Sequence, residues 1–176
     1  MTYTLPEPFV WRFCAICGNE LTPADDGESI RPHCPACRRF YYRNPVPAAC
    51  CFVARDDGAL LLTLRAVEPC KGEWSLPGGY IELEETTEES ARRELREETG
   101  LEARRLRLLG ISTKPSKISG SVMVIGYVVE EWAGTLQPGS DALDLRFFAS
   151  AERPPQAFTA HQELLGIYDS LFPPRE

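Results

Sequence analysis

The chain has 176 residues, 43% of them apolar and 26% charged, with a net charge of −7. That profile fits a folded domain of ordinary size with a small accessory module, and its acidity argues against a broad electrostatic grip on nucleic acid, which needs a basic surface. No stretch approaches the ~18–20 apolar residues that span a bilayer, and MTYTLPEPFVWRF lacks the basic start and apolar run of a secretory signal, so the expectation is a cytoplasmic protein with no membrane partner.

The first feature in chain order is a pair of Cys-x-x-Cys units. Cys14-Ala-Ile-Cys17 and Cys34-Pro-Ala-Cys37 are separated by sixteen residues. This is the spacing of a zinc ribbon. Four thiolates complete a tetrahedral shell around Zn²⁺ and leave no open position, which makes the ion structural. So short a segment has little core, and the metal would supply most of its folding free energy. Free thiols or a redox pair are the alternatives. His33 is a weaker ligand choice, because four cysteines already suffice. Arg31, Arg38, Arg39 and Arg43 are offset by Glu20, Asp25, Asp26 and Glu28, so the ribbon is expected to brace the protein rather than bind nucleic acid.

Arg43-Asn-Pro-Val-Pro47 then favours an extended linker. This divides the chain into a ribbon over residues 1–44 and a main domain over 45–176. Ala48–Arg55 (AACCFVAR) reads as a buried strand, Asp56–Gly58 as a turn, and Ala59–Arg65 as the second strand of a hairpin. Cys50 and Cys51 are small core residues in this reading, and Cys70 is a surface thiol. The segment VEPCKGEWSLPGG reads as a loop. LRLLGIST, SVMVIGYVVEEW and LRFFAS read as further strands, and Phe158 to Phe172 as a closing amphipathic helix through Leu164, Leu165, Ile167, Tyr168 and Leu171. His161 on that helix reads as an exposed polar residue. The mixture of strands and helices predicts an α+β fold, a mixed sheet with helices on its faces.

The most informative helix spans Thr86 to Thr99. Thr86 and Glu89 form a capping box, and Gly100 can end the helix in a left-handed conformation. Glu94 and Glu98 are four residues apart and project on one side, with Glu97 beside them. Two readings compete: a solvated face paired with Arg92, Arg93 and Arg96, or carboxylates gathered for a cation. The preceding loop weighs toward the cation, since Gly78-Gly79 allows a sharp turn and close approach to a ligand.

From Gly79 to Leu101 the sequence runs Gly-x5-Glu-x7-Arg-Glu-Leu-x-Glu-Glu-x-Gly-Leu. This resembles the signature of Nudix hydrolases at every defined position, and the resemblance extends more loosely over about Pro45 to Phe172. It implies an α/β/α sandwich preceded by the small zinc ribbon. It also implies a pyrophosphohydrolase, dependent on Mg²⁺ or Mn²⁺, that cleaves a nucleoside diphosphate linked to another moiety and releases a nucleoside monophosphate. The alternative is a nucleotide-sensing relative with weak turnover. By position, Glu94 and Glu98 would be the main ligands, Glu97 would contribute, and the Gly79 carbonyl would complete the shell. Glu85 would pair with Arg93 and orient the helix. The general base varies in the family: Glu94, Glu97, or a carboxylate of a later loop, for which Asp141 is preferred over Asp144.

A ribbon before such a domain is similar to the branches that hold NADH and FAD pyrophosphatases. ISTKPSKISGS stands where the NADH enzymes carry Ser-Gln-Pro-Trp-Trp, while Pro115 nearly matches a proline of the ADP-ribose enzymes. Trp74, Tyr80, Phe40, Tyr41 and Tyr42 offer rings for stacking on a base, and Arg65 and Lys71 offer charge for phosphate oxygens; core packing and surface solvation compete for each of them. The expected partner is a small nucleotide, with a homodimer by analogy.

Overall fold

In the computed structural model, residues 10–139 and 141–173 are described. They form two compact units. One comprises residues up to Pro45 together with Pro115–Ser121, and the other comprises Val46–Lys114 with the residues from Val122 onward.

The first unit carries a three-stranded sheet of β1 (Thr22–Asp25), β2 (Ile30–Cys34) and β3 (Arg39–Phe40), in that order. Among its described residues, Trp11, Phe40, Tyr41 and Tyr42 each have a neighbour within the unit. Trp11 stands 5.3 Å from Tyr41, and Phe40 stands 4.6 Å from the His33 ring. The Arg31 guanidinium lies 4.8 Å from the centre of the Tyr42 ring. Phe40, Tyr41 and Tyr42 are thus engaged within their own unit.

The second unit is organised around β4 (Val46–Val53). β4 pairs antiparallel with β7 (Gly78–Tyr80) and parallel with β9 (Gly120–Gly134), and β8 (Leu101–Ser116) completes a four-stranded mixed sheet in the order β7-β4-β9-β8. A second sheet joins β10 (Ala142–Phe148), β5 (Leu60–Arg65) and β6 (Trp74–Ser75). Two helices follow the pattern of the sequence: α1 (Thr87–Thr99) and α2 (Thr159–Leu171).

The unbroken apolar run of β4 has a simple cause: both faces are covered. Ala48, Cys50 and Phe52 join Ala160, Leu164 and Tyr168 of α2 in one core. Ala49, Cys51 and Val53 join Ala91 and Leu95 of α1 in the other. β5 is two-faced in the same way, with Leu60 and Leu62 in the first core and Leu61 in the second. A strand buried on both sides loses the polar alternation of a half-exposed one. The result is the α/β/α sandwich that the resemblance implied.

Two local expectations are corrected. Ala48–Arg55 and Ala59–Arg65 do not pair as a hairpin. Ala54 and Leu60 form a single antiparallel bridge, after which β4 and β5 enter different sheets. The reason is that each strand finds longer partners elsewhere, β4 in β9 and β5 in β10. The segment read as one loop, VEPCKGEWSLPGG, contains β6 and most of β7. Both strands are too short to show a periodic pattern.

Candidate functional site

The site grows from the junction of β7 and α1. Thr86 caps α1: its side chain accepts from the Glu89 N–H, and Glu89 returns a bond to the Thr86 backbone. Gly100 ends the helix at φ 73°, in the left-handed region. The apolar side of α1, through Ala91 and Leu95, is fully buried. That fixes the rotation of the helix and turns Glu94 and Glu98 toward the diglycine of β7.

The two glycines are held by β4, where Gly78 pairs with Cys50 and Gly79 with Ala49. Neither position has room for a side chain. A Cβ on Gly78 would stand 2.2 Å from the Ala49 carbonyl oxygen, and one on Gly79 would stand 2.4 Å from Glu94 Oε1. The Gly78 N–H donates to Glu98 Oε2 at 3.1 Å. Both carboxylates therefore lie directly against the diglycine backbone.

Burial dominates the electrostatics of these groups. Glu98 is only 8% exposed, and burial pushes its carboxyl up to about 8, against the opposing pull of the Gly78 N–H; the charges of Glu94 and Asp141 push it further up and that of Arg65 pulls it down. Glu94 is raised by burial in spite of the Arg93 guanidinium at 2.7 Å. A buried carboxyl beside a half-buried one is short of positive charge, which favours a cation.

Arg93 ties the site together. Its guanidinium forks onto Glu85, with Nε to Oε1 at 2.6 Å and Nη2 to Oε2 at 3.0 Å. Nη1 donates to Glu94 at 2.7 Å and to Glu97 at 3.3 Å, and Nη2 donates to the Tyr80 carbonyl at 3.1 Å. The fork holds the Glu85 carboxyl down at about 2. The structure thus brings together Glu85, Arg93, Glu94, Glu97 and Glu98 around Gly79. Glu97 is the most open of them, with its side chain 53% exposed.

Asp141 enters from the second sheet. Its carbonyl accepts from the Ala66 N–H, and its charge reaches Glu98. The preceding loop rests on the end of α1, where Gln137 N–H donates to the Thr99 carbonyl and Gly139 N–H to the Glu98 carbonyl. A Cβ on Gly139 would stand 1.9 Å from the Glu97 carbonyl oxygen. Sequence reasoning missed Gly139; the Pro-Gly pair was its only mark.

The remaining candidates are more dispersed. Arg65 is held through Nε by the Pro69 carbonyl at 2.8 Å and lies 5.0 Å from the Phe158 ring centre. Trp74 is half-buried and meets Phe148 edge-on at 4.8 Å. Lys71 is exposed, and Tyr80 is 44% exposed. His161 is corrected: it is buried at 6% exposure, accepts the Leu76 N–H on Nδ1 at 3.3 Å, and is held down at about 4 by burial and by Arg65. The apolar spacing of α2 could have placed it inside, since it shares a face with Leu164 and Tyr168. Cys50 and Cys51 are buried, as their strand suggested, and Cys70 is half-buried.

In the first unit, the sulfurs of Cys14, Cys17, Cys34 and Cys37 all lie within 4.8 Å of one another. Cys14 and Cys37 are 3.8 Å apart, and Cys17 and Cys34 are 3.5 Å apart. A tetrahedral Zn²⁺ with bonds of ~2.3 Å needs sulfurs about 3.8 Å apart, so the four residues fit the ion. Among the described residues this is the one cluster whose side chains alone converge so closely on a point.

A mixed-sheet sandwich that lays an acidic helix under a diglycine turn is the architecture of a class of hydrolases. The chain belongs to the Nudix family: the family model for the NUDIX domain matches residues 44–168. A protein of Methanocaldococcus jannaschii named ADP-ribose pyrophosphatase is 35% identical over 128 residues, which are 72% of this chain and 75% of that protein. A Pseudomonas aeruginosa protein named NAD-capped RNA hydrolase NudC is 31% identical over 145 residues, 82% of this chain but 50% of that protein, so the chain spans half of that relative's length. Among solved structures, a NUDIX hydrolase from Nitrosomonas europaea superimposes with a TM-score of 0.69 at 27% identity, covering 93% of this chain and 94% of that one. No helix among the described residues is long and apolar enough to cross a membrane.

Proposed function

We propose that this Nudix hydrolase is a divalent-metal-dependent pyrophosphohydrolase. It cleaves the diphosphate of a nucleoside diphosphate joined to another moiety, of the ADP-ribose or NAD type, and releases a nucleoside monophosphate. The observation that carries the reading is the pair of carboxylates, buried Glu98 and half-buried Glu94, pressed against Gly78 and Gly79. The relatives named for ADP-ribose and for NAD-capped RNA support the substrate class.

The donor set fits a hard cation. Mg²⁺ is usually held by one or two carboxylates together with waters and substrate phosphate oxygens, and side chains alone need not enclose it. Glu94 and Glu98 would hold the ion, with Glu97 and the Gly79 carbonyl contributing. When bound, Mg²⁺ or Mn²⁺ neutralises phosphate charge and lowers the pKa of water. Arg93, locked onto Glu85, aims Glu94 and Glu97 and positions the helix against the Tyr80 backbone. Asp141 takes the proton of the attacking water as its oxygen bonds to one phosphorus. The bridging P–O bond breaks and the second phosphate leaves. Arg65 and Lys71 meet phosphate oxygens, and Tyr80 and Trp74 meet the base.

Residues 1–44 form the zinc ribbon in this reading, with a structural Zn²⁺ on Cys14, Cys17, Cys34 and Cys37, and residues 45–176 form the hydrolase domain. The test is product analysis with Mg²⁺ or Mn²⁺ on ADP-ribose, FAD, NADH and a nucleotide sugar, with Glu98→Gln beside the wild type. Turnover of one compound that collapses in the variant supports the proposal, and no turnover of any of them counts against it.

A further inference from the structure

We infer that His161, on the helix opposite the acidic one, is a positioning residue that sets the diglycine turn against Glu98 and Glu94. The inference rests on the functional reading above for its consequence in turnover, but its structural content stands on contacts alone.

His161 lies in α2, on the far face of the sheet from α1. Its Nδ1 accepts the N–H of Leu76 at 3.3 Å, which assigns the ring proton to Nε2. Leu76 is 1% exposed and stands two residues before Gly78. The next links follow along the backbone. The Pro77 carbonyl accepts the Cys51 N–H at 2.9 Å, and the Gly78 N–H donates to Glu98 at 3.1 Å. Leu76, Pro77 and Gly78 are thus pinned in succession by α2, β4 and α1.

The first pin is the only one made by a side chain whose role the catalytic reading does not use. Without it, the Leu76 N–H would be left buried without an acceptor, since it lies in a fully covered segment. The turn would then be free to shift, and a shift on the order of 1 Å at a metal and substrate site costs roughly a hundredfold in rate. The same ring also supports the phosphate side of the site. Phe158 meets His161 edge-on at 5.2 Å and itself carries the Arg65 guanidinium at 5.0 Å. One buried imidazole therefore serves both the turn and Arg65.

Two substitutions separate positioning from bulk packing. His161→Phe keeps an aromatic ring on Phe158 but removes the acceptor. His161→Asn places an amide oxygen near the position of Nδ1 and restores it. Hydrogen exchange of the Leu76 and Gly78 amides is measured in protein free of Mg²⁺ and Mn²⁺, together with the Mn²⁺ concentration that half-saturates turnover. In His161→Phe both amides should exchange roughly five- to tenfold faster, as loss of one hydrogen bond implies, while the Leu95 amide of α1 is unchanged, and the Mn²⁺ requirement should rise about tenfold or more. His161→Asn should return both readouts most of the way to wild type. Unchanged exchange at Leu76 and Gly78 in His161→Phe overturns the inference, as does an Asn variant as impaired as the Phe variant. Absence of wild-type turnover would count against the hydrolase reading instead, and the exchange comparison would then decide the role of His161 by itself.

Discussion

The carboxylate of Glu94 occupies the space that a side chain on residue 79 would need: a Cβ on Gly79 would lie 2.4–2.7 Å from its three terminal atoms. Gly78, its neighbour, faces backbone instead, with the Ala49 oxygen at 2.2 Å and the Cys50 Cα at 2.7 Å. The two glycines should therefore fail in different ways. In Gly79→Ala the flexible carboxylate swings aside, costing about 1 kcal/mol of stability and on the order of a hundredfold or more in kcat. In Gly78→Ala the β4 backbone cannot yield, and about 3 kcal/mol of stability is lost. Thermal unfolding and steady-state kinetics on both variants measure the contrast; equal destabilisation in the two would contradict it.

Glu98→Gln should separate stability from turnover. The folded carboxyl, at about 8, sits above its ordinary value of 4.5. The native state therefore binds protons more tightly than the unfolded chain, and its stability falls as pH rises from 4.5 through 8. A glutamine has no charge to bury and can still accept the Gly78 N–H. Protein dialysed free of Mg²⁺ and Mn²⁺ should gain roughly 1–3 kcal/mol near neutral pH on this change, with flatter pH dependence in urea unfolding, while turnover collapses.

Arg93→Lys keeps the charge and loses the planar fork. A lysine cannot hold both Glu85 oxygens while also reaching Glu94, Glu97 and the Tyr80 carbonyl. The expected result is a loss of roughly 10- to 100-fold in kcat and in apparent Mn²⁺ affinity, read from metal titrations of activity. A kinetic profile matching wild type would remove Arg93 from the positioning role.

His161 also predicts an acid limb in stability. Its folded value, about 4, is depressed below the ordinary 6.5. The unfolded chain therefore binds the proton first as pH falls, and stability is lost from 6.5 down toward 4. The total is roughly 3 kcal/mol. Arg65, the charged group that acts on the ring, pushes in the same direction as burial. Urea unfolding between about pH 7 and about pH 4 should show this slope in wild type and its loss in His161→Asn.

The four cysteines should hold one zinc ion per chain. Cys37→Ser should lose the zinc on mild dialysis and with it the amide protection of β1 and β2, as measured by metal analysis and hydrogen exchange. Retention of zinc and of protection in Cys37→Ser would exclude the tetrathiolate site.

Much of the site was legible because its constraints are local. The capping box of Thr86 and Glu89, the Gly100 terminus and the helical spacing of Glu94, Glu97 and Glu98 are written within one segment. The Arg93–Glu85 pair is eight residues apart and joins α1 to the loop just before it. What escaped reading depends on partners distant in sequence. β4 and β5 look like a hairpin because a turn joins them, but their pairing is decided by β9 and β10. His161 looks like a surface residue until Leu76, eighty-five positions earlier, supplies its donor. Gly139 looks like an ordinary loop residue, but the end of α1 fills the space that any side chain there would need.

β4 shows its alternate residues to different helices, and its hydrogen bonds set Gly78 and Gly79 opposite Cys50 and Ala49. A slip of one residue would exchange every side chain between the two cores. It would also carry the diglycine one step past Glu94 and Glu98. The strand is in effect a ruler whose graduations are read from both sides. An insertion or deletion of one residue within Val46–Val53 should leave no partly active species, whereas a change of length in the Asp56–Gly58 turn leaves the ruler, and therefore the distance between turn and acid, intact.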